Sequence, residues 1–354
     1  MNIDAIKLLK SLVAIPSVSR DENGTADLLV EVLTDAGIKC RRHYNNVWAL
    51  QPHYDATKPT LMLNSHHDTV KPSPAYTRNP YEAAVEDGVL YGLGSNDAGA
   101  SVVSLASVFA RLYETELPFN IILALTAEEE VMGEHGMRAM LPHLAEQGIS
   151  VDMALVGEPT GMQPAVGERG LVVLDCTAHG RTGHAARKEG VNALYKAIED
   201  IDKLRRFKFE QKSELLGDIS LQVTQINAGT QHNVVPDRCG FVVDVRTTDA
   251  YTNEQTVEIL QKVIEADAVP RSTRVRASAI SDNHPMVCAA VAIGGTPFVS
   301  PTTSDMALMP FPSLKMGPGQ SQRSHTADEY VLLSEVEEAQ SLYEKFIFEL
   351  SNII

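Results

Sequence analysis

The chain has 354 residues, 44% hydrophobic and 21% charged, enough apolar material for two domains or for one large domain with an insertion. Lys and Arg number 30 against 46 Asp and Glu, a formal net charge of −16. That acidity repels phosphate backbones and anionic lipid surfaces, and argues against nucleic acid and membranes as partners.

The opening stretch MNIDAIKLLKSLVAIPS sets Ile3, Ile6, Leu9, Leu12 and Val13 at helical spacing and interrupts them with charge. That is an amphipathic helix and not the layout of a signal peptide. No apolar run approaches the roughly 20 residues that a bilayer span needs. Cys40, Cys176, Cys239 and Cys288 are scattered, without CxxC spacing, and read as reduced thiols. A cytoplasmic protein is expected.

A second helix is expected over GTADLLVEVLTDAG, stopped by Gly37. Strands follow at LMLNSHH, at NIILALT (Asn120 to Thr126) and at DMALVGE (Asp152 to Glu158), with a helix at ASVVSLASVFARLYE. Alternating helices and nearly continuous apolar strands predict an α/β domain with a mostly parallel sheet. Beyond Pro164 the texture changes. GLVVLDCTAHG alternates like a half-solvated strand, a helix follows at VNALYKAIEDIDKLRRF, and strands follow at ISLQVTQINAG and CGFVVDVRTT. A helix at NEQTVEILQKVIEA and a last strand at TRVRASAIS complete a β-α-β-β-α-β insertion. The first domain resumes at HPMVCAAVAIGGTPF and closes on the helix LSEVEEAQSLYEKFIFELSNII. Domain bounds are therefore expected at 1–163 with 280–354, and 164–279.

The charged residues sit where sheet sites form, outside the carboxyl ends of strands. LMLNSHHD ends in His66 and Asp68, IILALTAEEE in Glu128, Glu129 and Glu130, and MALVGEPT in Glu158. YGLGSNDAGAS places Asp97 in a glycine-rich loop before a helix, and GPGQSQRSHTADEY places His325 in another. Singly, each has a plainer reading: Asp97 as a helix N-cap, the glutamates as a solvated helix start, Glu158 as turn chemistry. Together they leave adjacent carboxylates at the end of a buried strand, where uncompensated charge is expensive. Two divalent ions roughly 3.5–4 Å apart and sharing one carboxylate fit this supply of ligands. Mixed imidazole and carboxylate donors suit zinc, with cobalt or manganese as substitutes.

The ordered set SHHDTV, YGLGSNDAGA, TAEEE, VGEPT and SHTADEY resembles the M20 family of metallopeptidases and deacylases, over essentially the whole chain. GRTGHAARKEGVNAL, NVVPDRC and VDVRT extend the resemblance into the insertion. It implies a zinc-peptidase-like catalytic domain and a ferredoxin-like insertion that carries a homodimer interface and acts as a lid. It also implies two metal ions. His66, Asp97 and Glu158 would be ligands of the first, and Asp97, Glu130 and His325 of the second. Asp68 would stand behind His66, Glu129 would be the general base, and His67 would have no metal role. TAEEE parallels the TADEE form of acetylornithine deacetylases, and SNDAGA departs from the family's usual Asp-Met-Lys-Gly by placing Gly99 at the lysine position.

In the insertion, His184 matches a histidine that reaches the partner subunit and stabilises an oxyanion. Asn233 and Arg246 match residues at a substrate carboxylate, and Thr303, Ser304 and Asp305 a substrate-lining stretch. The resemblance implies deacylation of N-acetylornithine, or of N-acetylcitrulline or N-succinylornithine, in arginine biosynthesis. Succinyl-diaminopimelate desuccinylation, dipeptide cleavage and a non-catalytic binding role are the alternatives.

Overall fold

The computed structural model describes residues 1–187 and 189–354, in two compact units. The first comprises Met1–Val166, Ile280–Phe298 and Ser304–Ile354; the second comprises Gly167–Ala279 and Val299–Thr303. The second unit thus starts three residues later than the expected 164 and takes in a short return segment.

In the first unit, α1 (Ala5–Val13) is capped by Asp4, whose carboxylate accepts from Lys7 N at 3.0 Å, and buries Leu8, Leu9, Leu12 and Val13. α2 (Asn23–Asp35) leads into a hairpin of β1 (Cys40–His43) and β2 (Asn46–Leu50). β3 (Thr60–His66) and β4 (Asn120–Thr126) are buried at every position and pair in parallel, with α3 (Ala100–Leu112) between them in sequence. After α4 (Met137–Glu146), β5 (Met153–Val156) pairs in parallel with β3 on its other side. Continuous burial is what a central parallel strand demands, and it explains the unbroken apolar runs.

β6 (Ala165–Glu168) precedes the second unit's own sheet. That sheet is formed by β7 (Gly170–His179), β8 (Ser220–Ala228), β9 (Arg238–Thr247) and β10 (Asp267–Pro270), in the antiparallel order β8-β9-β7-β10. α5 (Ala193–Arg206) and α6 (Asn253–Val263) complete the βαββαβ pattern. Its core packs Val172, Leu174, Phe241, Val243, Val245 and Leu260.

The last strand is not TRVRASAIS. Within that stretch only Ser278–Ala279 pair as a strand, with Gly167 and Glu168. The true β10 follows directly on the residues expected to end the helix, which itself stops at Val263. Asp200 explains the shift: its buried carboxylate accepts from Glu265 N and Ala266 N, at 3.1 and 2.8 Å, and Ile264 turns extended. The chain is pulled off the helix one turn early.

The first unit resumes with α7 (Pro285–Ala292), β11 (Ser313–Lys315) and the long α8 (Leu333–Ile353). β11 pairs in parallel with β5, giving the order β1-β2-β4-β3-β5-β11-β6 with a parallel centre. Among the described residues, no helix is long and apolar enough to cross a membrane.

Candidate metal centre

β3, β4 and β5 end side by side and deliver His66, Glu129 with Glu130, and Glu158 to one edge. After β4 the backbone turns sharply. Glu128 adopts the left-handed region (φ 56°), and Glu129–Val131 make one 3₁₀ turn. Such a conformation is unusual for a non-glycine residue and marks a constrained turn. Asp68 fixes it, accepting from Glu129 N through Oδ1 (3.1 Å) and from Glu130 N through Oδ2 (3.2 Å). Ser19 Oγ also donates to Asp68, at 2.7 Å.

Asp97 does not cap α3, whose N-terminus has no side-chain cap. Its two oxygens divide instead between two histidines. Oδ1 lies 3.2 Å from His66 Nε2, and Oδ2 lies 3.6 Å from His325 Nε2. His66 Nε2 is also 3.7 Å from Glu158 and 3.9 Å from Glu129, and His325 Nε2 is 2.9 Å from Glu130. Potential ligand atoms converge within 4.8 Å in three groups: His66/Asp97/Glu158, Asp97/Glu130/His325 and His66/Glu129/Glu130.

The electrostatics are those of a cation site. Burial, opposed by His66 and reinforced by Asp97, pushes Glu158 up to about 8. Burial and neighbouring carboxylates raise Glu129 well above its usual range. Burial would lower His66, but hydrogen bonds to Asp68 and Asp97 and the charges of Glu129 and Glu158 raise it well above 6.5. The bond to Glu130 takes His325 up to about 9. Four carboxylates crowd around two imidazoles, and a divalent cation would hold them all ionised. The donor set fits hard or borderline divalent ions.

Residues 62–349 match the model of peptidase family M20/M25/M40. The chain belongs to that family. It is a metal-dependent amidohydrolase, as the family's chemistry requires of this donor set. Similar curated proteins include succinyl-diaminopimelate desuccinylases. That of Paracoccus denitrificans is 32% identical, over 78% of this chain and 73% of its own length. That of Roseobacter denitrificans is 29% identical over 98% of both. Among solved structures, the aminopeptidase PepT of Bacillus cereus superposes with a TM-score of 0.79 at 20% identity, over 98% of both chains. A Bacillus subtilis protein described as a dinuclear metal binding peptidase of the M20 family does so with 0.71 at 17%, over 99% of this chain and 98% of its own. At such identities the superpositions establish the family fold.

His67 is buried away from this cluster. Its Nε2 donates to the Asn45 carbonyl at 2.9 Å, and Nδ1 accepts from the Thr25 hydroxyl at 2.9 Å. Burial lowers its pKa to about 4. In the unfolded chain the ring titrates near 6.5, so the native state is disfavoured as pH falls from 6.5 to about 4. Unfolding free energy in that window should drop by up to roughly 3 kcal/mol through this group. Denaturation of wild type and His67→Gln at pH 7.0 and 4.5 checks it: the variant should show a shallower pH dependence, and equal slopes would refute it.

In the second unit, Gly183–His184 pair with Val234–Val235, and Ala185 N donates to Asn233 O at 3.0 Å. This brings His184 and Asn233 together on an exposed ribbon. Arg246 is half exposed on β9 and binds Asp244 at 2.8 and 3.1 Å. Thr303 is partly exposed, and Ser304 is buried, accepting from Met306 N at 3.3 Å.

Three buried charges lie at the centre, and of these only Asp305 stands out in the sequence. Glu329 crosses to the Asp97 loop, and the buried Lys315 acts on Glu158 by its charge. Asp305 accepts from Thr126 Oγ1 at 2.7 Å and is pushed up to about 6 by burial. TADEY, SDMA and SLKM carried no periodic signal of burial; only the strand-end position of Lys315 could have hinted at it.

Proposed function

We propose that the protein hydrolyses the N-acyl amide of an N-acyl amino acid, with N-succinyl-diaminopimelate as the first substrate to expect. The observation that carries this reading is the division of Asp97's two oxygens between His66 and His325. In this reading one zinc ion is held by His66, Asp97 and Glu158, and a second by Asp97, Glu130 and His325, with cobalt or manganese as substitutes. Bound ions would polarise the acyl carbonyl and acidify an attacking water. Glu129 takes the proton as water attacks the acyl carbon, then passes it to the departing amine. Asp68 orients His66 from behind, with Oδ1 3.4 Å from its Nδ1.

In the second unit, Arg246 would exchange Asp244 for the substrate's α-carboxylate, since a guanidinium grips either bidentately. Asn233, Thr303 and Ser304 would line the same substrate. His184 would stabilise the developing oxyanion in the partner subunit of a homodimer. Exposed apolar side chains on α5, Tyr195 and Ile198, favour such a dimer. Four free cysteines suit the cytoplasm.

On the acyl group and tail, motif resemblance favours N-acetylornithine, whereas the names of the curated relatives favour succinyl-diaminopimelate. Full-length similarity outweighs a five-residue motif. Amine release should be measured with zinc- or cobalt-loaded protein on N-succinyl-diaminopimelate, N-acetylornithine, N-acetylcitrulline, N-succinylornithine and a dipeptide. The succinyl-diaminopimelate rate should be highest. A preference for N-acetylornithine would restore the arginine-biosynthesis reading, and cleavage of the dipeptide alone would end the deacylase assignment.

A further inference from the structure

Asn96 precedes Asp97 and is fully buried. Its side chain is spent on the segment that carries His325. Oδ1 accepts from Gln320 N at 2.9 Å, and Nδ2 donates to Gln320 O at 3.1 Å and to Ser324 Oγ at 3.4 Å. The amide thus closes both backbone bonds of Gln320, as a neighbouring strand would. The approach is tight: a Cβ added to Gly319 (φ +84°) would stand 2.3 Å from Asn96 Oδ1.

Glu329 ties the same two segments from the other side. Its Oε1 accepts from Asn96 N and Asp97 N, at 3.0 and 2.9 Å, and Oε2 accepts from Gly94 N at 3.0 Å. A buried carboxylate with three backbone donors is a rigid anchor. The Asp97 loop and the His325 segment are therefore pinned at both ends of the gap between Asp97 Oδ2 and His325 Nε2. Glu329 reaches Asp97's own backbone, so its loss would disturb every group that uses Asp97. The side-chain hydrogen bonds of Asn96 run to Gln320 and Ser324, on the His325 side, and none joins it to His66 or Glu158 among the described residues.

We propose that Asn96 is a positioning residue that fixes His325 against Asp97 and thereby sets the affinity of the Asp97/Glu130/His325 site, leaving the His66/Asp97/Glu158 site alone. The inference rests on the two-ion reading given above. Removal of a group that orients ligands typically weakens a metal site about ten- to a hundredfold.

The test is calorimetric titration of metal-free protein with Zn²⁺, comparing wild type, Asn96→Ala, Asn96→Asp and His325→Ala. Wild type should take up two ions and His325→Ala should lose one. Asn96→Ala should keep one site at wild-type affinity and weaken the other by about ten- to a hundredfold. Asn96→Asp keeps the acceptor for Gln320 N and should fall between; it carries the comparison if the alanine variant does not fold. Two wild-type affinities in a folded Asn96 variant, or equal weakening of both sites, would overturn the proposal while leaving the two-ion reading intact. A single site in wild type would remove that reading, and this inference with it.

Discussion

Glu129→Gln is expected to lower kcat by roughly 10²–10⁴-fold while leaving ion uptake unchanged, because in the proposed reading it removes a proton carrier and not a ligand. Asp68 clamps the amide of Glu129 itself and that of Glu130, so the glutamine should sit where the glutamate does. Its carboxylate is 3.9 Å from His66 Nε2, farther than Asp97 or Glu158. The amide keeps the shape and loses the basicity. The measurement is paired: steady-state rate on the best acyl substrate, and zinc content after dialysis. An active variant would remove Glu129 from the proton-transfer role. A variant that also loses an ion would shift the roles within Glu128–Glu130, making Glu129 the ligand.

Asp97→Asn should reduce bound zinc below two per chain and abolish turnover. Asparagine offers a single oxygen, so it can serve His66's side or His325's side but not both. The amide nitrogen would face ligands with hydrogens instead of a lone pair. His66 also loses the bond to a charged carboxylate that helps hold its pKa up, so metal-free Asp97→Asn should bind its histidine proton less tightly. Metal analysis by mass spectrometry and an NMR titration of His66 check both halves. Two ions retained at wild-type affinity would deny Asp97 the bridging role.

The candidate residues His66, Glu130 and Glu158 are legible in the sequence because they lie where apolar strands end. LMLNSHHD, IILALTAEEE and MALVGEPT each run from continuous apolar residues into His or Glu, and parallel pairing brings those ends together. The βαββαβ pattern of the insertion was legible for the same reason, through alternation in GLVVLDCTAHG and CGFVVDVRTT. Its last strand was not, because a helix's end was decided by a distant carboxylate, Asp200, that local periodicity cannot register. The hairpin Cys40–Leu50 hid behind polar residues in β1, and α4 behind the internal Pro142. Asn96 and Glu329 read as ordinary polar loop residues. Their burial exists only because two loops far apart in sequence meet.

In the two-ion reading Asp97 stands between the ions, one oxygen towards each. Anomalous scattering at the zinc edge from a zinc-loaded crystal tests it most directly. Two peaks are predicted, roughly 3.5–4 Å apart, one beside His66 and Glu158 and the other beside Glu130 and His325, with an Asp97 oxygen facing each. A single peak, or a pair that does not include Asp97, would contradict the claim.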